Sequence, residues 1–246
     1  MASSSTLLFA AVAASIGMAI PQPAGAGVSA MFDRLVNSAQ PRTLVLLVDA
    51  SGSVSPDDRQ LYRKAATALA DNAVAGDRVL VASVGDATRA NFRPALDLVV
   101  PRKAARLDQE EALARTRERI RRTAYALIAS DARPQQTQLV ETLAAASQAF
   151  GTRRVPGDRV LILTDGVEEG AAINLARRPM DSRQVDTALA AARADGLLPD
   201  LTGVELSIVG AGGRHYSSVA NFWRRYADLT GARLAQYGRL SMAAAN

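Results

Sequence analysis

The stretch Leu44-Val45-Leu46-Leu47-Val48-Asp49-Ala50-Ser51-Gly52-Ser53 decides the fold. Five apolar residues run without a break and then stop in a loop of oxygen-bearing and small side chains. A short continuous apolar run ended by turn-formers reads as a strand buried on both faces of a parallel sheet. One carboxylate and two hydroxyls, at Asp49, Ser51 and Ser53, alternate where that strand ends. In open α/β sheets, ligands bind in the crevice beyond the carboxyl ends of the strands. Ser55-Pro56-Asp57-Asp58 follows at once. Serine is a good N-cap, proline suits the first turn, and two acids favour the positive end of a helix dipole. The order is strand, oxygen-rich loop, helix.

The same alternation continues outward. A helix is expected from Pro56 to Ala73, and a strand over Arg78–Gly85. Ala95–Val100 follows after a short loop and reads as an antiparallel edge partner, closed by Pro101. Asp108–Ser130 is a long charged helix with a narrow apolar stripe at Leu113, Ile120, Leu127 and Ile128. Its charges read as a solvated face, with a basic surface for an acidic partner as the sharper reading. A helix over Pro134–Phe150 begins near Thr137, and Gly151 is a plausible C-cap. Asp158–Thr164 is a second buried strand that ends in an acid, Asp165. A helix over Val185–Ala194, a strand over Val204–Val209, a helix over Ser217–Leu229 and a strand over Ala232–Tyr237 complete the chain. Strands alternating with helices imply a doubly wound α/β fold. The expectation is a mostly parallel six-stranded sheet with one antiparallel edge strand and helices on both faces.

The chain has 246 residues, 48% apolar and 22% charged, which is globular composition with material for a full core. Its net charge of +5 comes from arginines spread over several segments rather than the clustered footprint of nucleic-acid binding. Cysteine is absent, which excludes disulfides, thiolate metal sites and cysteine catalysis. Residues 1–26 carry no charged side chain. Thr6–Ile20 is apolar, and Ala24-Gly25-Ala26 fits the small-x-small cleavage pattern of a secretory signal. The n-region lacks Lys and Arg, so an uncleaved membrane anchor is the alternative. The expected organisation is a leader over 1–26, a lead-in over 27–41, one domain over 42–239 and a tail over 240–246, exported to a periplasmic or extracellular location.

Three oxygen-bearing loops stand at strand ends or helix starts: Asp49/Ser51/Ser53, Thr137 and Asp165. Carboxylates and hydroxyls are hard ligands, suited to Mg²⁺, Mn²⁺ or Ca²⁺ and poor for zinc or copper. They cannot all bind directly and also leave room for a ligand, so some act through water. That leaves an open vertex, which an incoming Asp or Glu carboxylate would complete.

This ordered set resembles the von Willebrand factor type A domains. The resemblance rests on an apolar strand, D-x-S-x-S at 49–53, the T-x-x-x-x-[AT]-L pattern at Thr137–Leu143, and an apolar strand ending in Thr164-Asp165-Gly166. It covers about Arg42 to Tyr237. It implies a metal-ion-dependent adhesion site made of Asp49, Ser51, Ser53, Thr137 and Asp165, and a divalent cation, Mg²⁺ first. It further implies that the serines bind directly, that the aspartates often act through water, and that the threonine changes its engagement with state. The family often has glycine before that threonine, where this chain has Gln135-Gln136. The segment ahead of Thr137 is also longer than usual.

Function then reads as binding, not catalysis, with a protein partner that offers an Asp or Glu side chain. The alternative is a metal-dependent phosphoesterase that uses the same ion, with Glu168 or Glu169 as its general base. Those two glutamates otherwise read as a solvated turn. Ser51 is not in a G-x-S-x-G elbow. His215 is the single histidine and lies in a loop, so a serine triad has little to build on. Gly210-x-Gly212-Gly213 lacks dinucleotide spacing. Phe222, Trp223 and Tyr226 read as core packing.

Overall fold

In a computed structural model, the chain is described over residues 40–49, 51, 54–85, 91–130, 136–170, 173–212 and 215–238. The leader over 1–26, most of the lead-in, the whole tail over 240–246, and Ser53 lie outside these residues. Among them, no helix is long and apolar enough to cross a membrane.

Six strands form one sheet: β1 (Thr43–Asp49), β2 (Arg78–Val84), β3 (Leu96–Val99), β4 (Arg159–Leu163), β5 (Glu205–Val209) and β6 (Arg233–Gly238), in the order β3-β2-β1-β4-β5-β6. Every pairing is parallel except β2 with β3. The doubly wound sheet with one antiparallel edge is therefore present as the sequence predicts. β1 lies at its centre, and Leu44 to Asp49 are all buried. Its side chains alternate between two cores. Val45 and Leu47 face one layer, and Leu44, Leu46 and Val48 face the other. Both faces being covered is why the run is apolar without interruption.

The layer beneath Leu44, Leu46 and Val48 is made by α1 (Pro56–Asp71) and α2 (Arg106–Ile128). In α1, Tyr62, Ala65, Ala66, Leu69 and Ala70 recur at helical spacing and are buried together. Ser55 caps α1 as read: its hydroxyl accepts from Asp58 N–H at 3.1 Å, and Asp58 returns a bond to the cap backbone. The opposite layer is α3 (Leu139–Ala146), a 3₁₀ turn (Ser147–Phe150), α4 (Ser182–Ala194) and α5 (Tyr216–Thr230). Phe222, Trp223 and Tyr226 of α5 are fully buried there, as core.

The helix starts after α1 shift from the sequence reading: α2 begins at Arg106 and α5 at Tyr216, two residues and one residue early, and the other two shifts have a cause in the caps. α4 begins earlier, because Asp181 and Gln184 form a capping box over its first turn. α3 begins at Leu139, with Gln138 rather than Thr137 at the cap position and no side-chain bond from it.

Candidate metal site

The carboxyl ends of β1 and β4 create the site. Their parallel register places Val48 opposite Leu163, so the next residues, Asp49 and Thr164, meet at the crevice. Thr164 Oγ1 donates to Asp49 Oδ2 at 2.8 Å, and Ser51 N–H donates to Asp49 Oδ1 at 2.8 Å. The second bond closes a local Asx turn that folds the first loop back on the strand end. Asp49 is only 1% exposed. Burial raises its pKa above the usual carboxylate range, and the charge of Glu169 adds to this. The Ser51 and Thr164 bonds oppose the rise.

The third loop is held from three sides. Gly166 N–H donates to Thr164 Oγ1 at 3.1 Å, Val167 N–H to Asp165 Oδ1 at 2.9 Å, and Trp223 Nε1 to Gly166 O at 2.8 Å. Gly166 has φ +85°, where a side chain would be strained. Asp165 itself is half-buried.

The second loop is tied to the third by the two glutamates. Glu169 Oε2 accepts from Thr137 N–H at 3.1 Å, and Glu169 N–H donates to Thr137 O at 2.9 Å. Glu168 is 1% exposed. Its Oε2 accepts from Val140 N–H at 2.7 Å and its Oε1 from Gly170 N–H at 2.7 Å, with a further bond from Leu139 N–H. Glu168 thus serves as the missing cap of α3: an acid from another loop satisfies the orphan donors of its first turn and faces the positive end of its dipole. The expectation of a solvated turn is corrected at Glu168, whose side chain is buried against backbone donors. Burial pushes its pKa up to about 8 against the pull of those donors, and the charge of Glu141 adds to the rise.

The carboxylates share one region. The charges of Asp49, Asp165 and Asp58 all act on the buried phenol of Tyr62. Together with burial, the larger cause, they hold its pKa far above the usual phenol value. Tyr237 responds in the same direction, chiefly to burial and partly to Tyr216 and Asp165. Sequence reading missed Tyr62 and Thr164. Nothing in the sequence of α1 marks Tyr62 as a neighbour of the loops, and Thr164 reads only as the last residue of a strand ahead of Asp165.

Asp49, Ser51 and Asp165 therefore stand on adjoining loops, and Thr137 is tied to the same place through Glu169. Ser53 lies outside the described residues. Among those residues no three His, Cys, Asp or Glu side chains are grouped so as to hold a metal ion by themselves. A cation here would need the hydroxyls of Ser51 and Thr137 as well as the two carboxylates. The donor set fits a hard divalent ion: all oxygen, part carboxylate and part hydroxyl. The Asp49 carboxyl is raised chiefly by its burial, and a nearby cation would favour its charged form. Beside Thr137 lies an open cleft of about 310 Å³ lined by Gln136, Glu169, Asn174, Ala176 and Arg177. His215 stands apart in role. It precedes α5 with φ +70°, and its carbonyl accepts the N–H groups of Ser218 and Val219.

No protein family matches the chain, and neither does any curated protein. Among solved structures, proximal thread matrix protein 1 from the mussel byssus is similar at 15% identity and TM-score 0.37, over 78% of this chain and 48% of that one. The manganese-loaded TRAP protein of Plasmodium vivax is similar at 14% identity and TM-score 0.39, over 80% of this chain and 68% of that one. The chain spans about half the length of the mussel protein.

Proposed function

We propose that this chain is a von Willebrand factor A-type binding domain. It would hold a divalent cation, Mg²⁺ first, with Asp49, Ser51, Ser53, Thr137 and Asp165, and capture an Asp or Glu side chain of a partner protein at the ion's open vertex. The observation that carries this reading is the Thr164–Asp49 bond at 2.8 Å, which joins the strand end bearing Asp49 and Ser51 to the one that leads into Asp165. When bound, the ion would supply a positive centre that a partner carboxylate completes. The chain's own groups do the rest. Thr164 and Ser51 orient Asp49, and Glu169 positions Thr137. The phosphoesterase alternative loses support at its base, since Glu168 and Glu169 both accept from backbone N–H groups.

Thermal unfolding in EDTA and then in Mg²⁺, Mn²⁺ or Ca²⁺ tests the cation. An ion at 100 times its dissociation constant stabilises by about 2.7 kcal/mol. The wild type should shift upward. Asp49→Asn, which keeps the shape of the side chain, and Ser51→Ala should not. No shift in the wild type with any of the three ions would sink the reading. Capture is tested by panning displayed peptides in Mg²⁺ and again in EDTA, where Asp- or Glu-containing sequences should be enriched only with the ion.

A further inference from the structure

The far edge of the sheet carries features that the cation site does not use. β3 is the end strand and, among the described residues, pairs only with β2. Its outer side offers backbone groups to another chain. Beside it is a notch of about 220 Å³, lined by Leu98, Val99 and Pro101 from the edge and by Arg115, Thr116 and Arg119 from α2. Among the described residues no acidic side chain lines it. The Arg119 guanidinium has no partner among the described residues. Among the described residues Arg115 is paired only with Glu111, one turn earlier on the exposed helix. Such an exposed pair of flexible side chains is weak and easily exchanged.

Positive charge and exposed apolar surface both border this edge. Residues 101–122 hold eight Lys and Arg against four Asp and Glu, of which Arg117 and Arg121 turn to α1, one donating to Ala73 O and the other to Asp71, while Arg115 and Arg119 line the notch. Val99, which lines the notch from β3, is 61% exposed, and Leu107 in the first turn of α2 is 77% exposed. A basic, partly apolar notch beside an open strand edge suits one kind of occupant.

We propose that β3 and the Arg115/Arg119 notch form a docking surface for an extended acidic segment of a partner protein. The segment would add as a strand to β3, with carboxylates directed at the two arginines. Strand addition supplies affinity through backbone bonds, and the flanking pockets supply specificity. A second copy of this chain is disfavoured, because edge-to-edge pairing would bring two arginine sets together. A lipid surface offers anions but no backbone to pair with the edge.

The test uses the full chain in EDTA, so the cation site contributes nothing and the two proposals fail separately. A fluorescein-labelled peptide Thr-Glu-Val-Glu-Thr-Glu is titrated by anisotropy. Three controls accompany it: the same peptide with Lys for Glu, its alternately N-methylated form, and phosphatidylglycerol vesicles. The acidic peptide should bind and the Lys peptide should not. N-methylation, which removes strand pairing, should weaken binding at least tenfold. So should Arg115→Glu with Arg119→Glu, and Arg119→Ala alone should weaken it by a smaller factor. Raising salt to about 0.5 M should also weaken it, since exposed charges are then screened within a few ångströms. Absence of binding, equal binding of the N-methylated peptide, or insensitivity to the charge reversal with thermal unfolding unchanged would overturn the proposal. Binding to vesicles alone would overturn it in favour of a membrane surface.

Discussion

Thr164 Oγ1 donates to Asp49 Oδ2 at 2.8 Å across two neighbouring parallel strands, and both residues are buried. One hydroxyl joins the first and third loops, because it also accepts from Gly166 N–H at 3.1 Å. Thr164→Val keeps the shape and removes both bonds. A buried group left without its partner costs about 1–3 kcal/mol. The urea midpoint should fall accordingly, and Thr164→Ser, which retains the hydroxyl, should recover most of the loss. If the two variants unfold alike, the bond contributes little and packing alone joins the loops.

The central strands could be read from sequence because burial on both faces leaves a continuous apolar signature, as at Leu44–Val48 and Val160–Leu163. The edge strand β3 was legible from its short connection and Pro101. Asp49, Ser51 and Asp165 were legible because acids and hydroxyls at the ends of such strands have few structural reasons to be there. What joins the loops was not legible. Glu168 looks like a surface acid in sequence, and only the fold brings α3's first turn to it. Asp77 and Asp158 are similar. They are buried below the sheet's other end, one paired with Arg42 at 2.6 Å and the other accepting from Thr43 N–H at 2.7 Å. No local pattern marks a contact made across 35 or 115 residues.

Glu168 should make stability depend on pH in a definite direction. Its folded pKa is raised from 4.5 to about 8, mainly by burial. Between those values the folded chain holds a proton that the unfolded chain has released. Stability therefore falls as pH rises from about 4.5 to about 8 and levels off above, with a slope of up to about 1.4 kcal/mol per pH unit. The raised Asp49 carboxyl contributes with the same sign. Glu168→Gln cannot ionise, and its amide would present a donor to backbone donors. It should be less stable than wild type near pH 5, and the gap should narrow toward pH 8. Denaturant unfolding at pH 5, 6.5 and 8 measures this. Wild-type stability that is flat or rising over the range would mean that the carboxylate is ionised throughout.

Gly210 and Gly203 separate steric crowding from backbone strain. Both have positive φ, +110° and +82°. A Cβ at Gly210 would lie 2.6 Å from Tyr62 Cε1 and 2.8 Å from Thr164 O, neither of which can move freely in the core. A Cβ at Gly203 meets nothing within 4 Å. Gly203→Ala should therefore cost about 1–2 kcal/mol, the left-handed penalty alone. Gly210→Ala should cost that much plus about 1–3 kcal/mol of overpacking. Because Tyr62 and Thr164 both border the cation loops, it should also reduce the Mg²⁺-dependent thermal shift. Equal losses in the two variants would show that the core beneath the site yields easily.

Trp223 links the aromatic core to the third loop. It is fully buried, with its ring edge-on to Phe222 at 5.2 Å and to Tyr226 at 5.3 Å, and its Nε1 donates to Gly166 O at 2.8 Å. Trp223→Phe retains an aromatic ring but loses volume and the donor, leaving a buried carbonyl beside Asp165 without that bond. The expected cost is about 2–4 kcal/mol from the cavity and the orphaned acceptor together. Phe222→Leu is the control, since it loosens the same core and no hydrogen bond runs from that ring to the loop. Both variants should unfold at lower temperature. Only Trp223→Phe should weaken the response to Mg²⁺, because only it frees the backbone that aims Asp165. A Mg²⁺ response lost equally in both would mean that core rigidity in general, and not the Trp223–Gly166 bond, sets the position of the third loop.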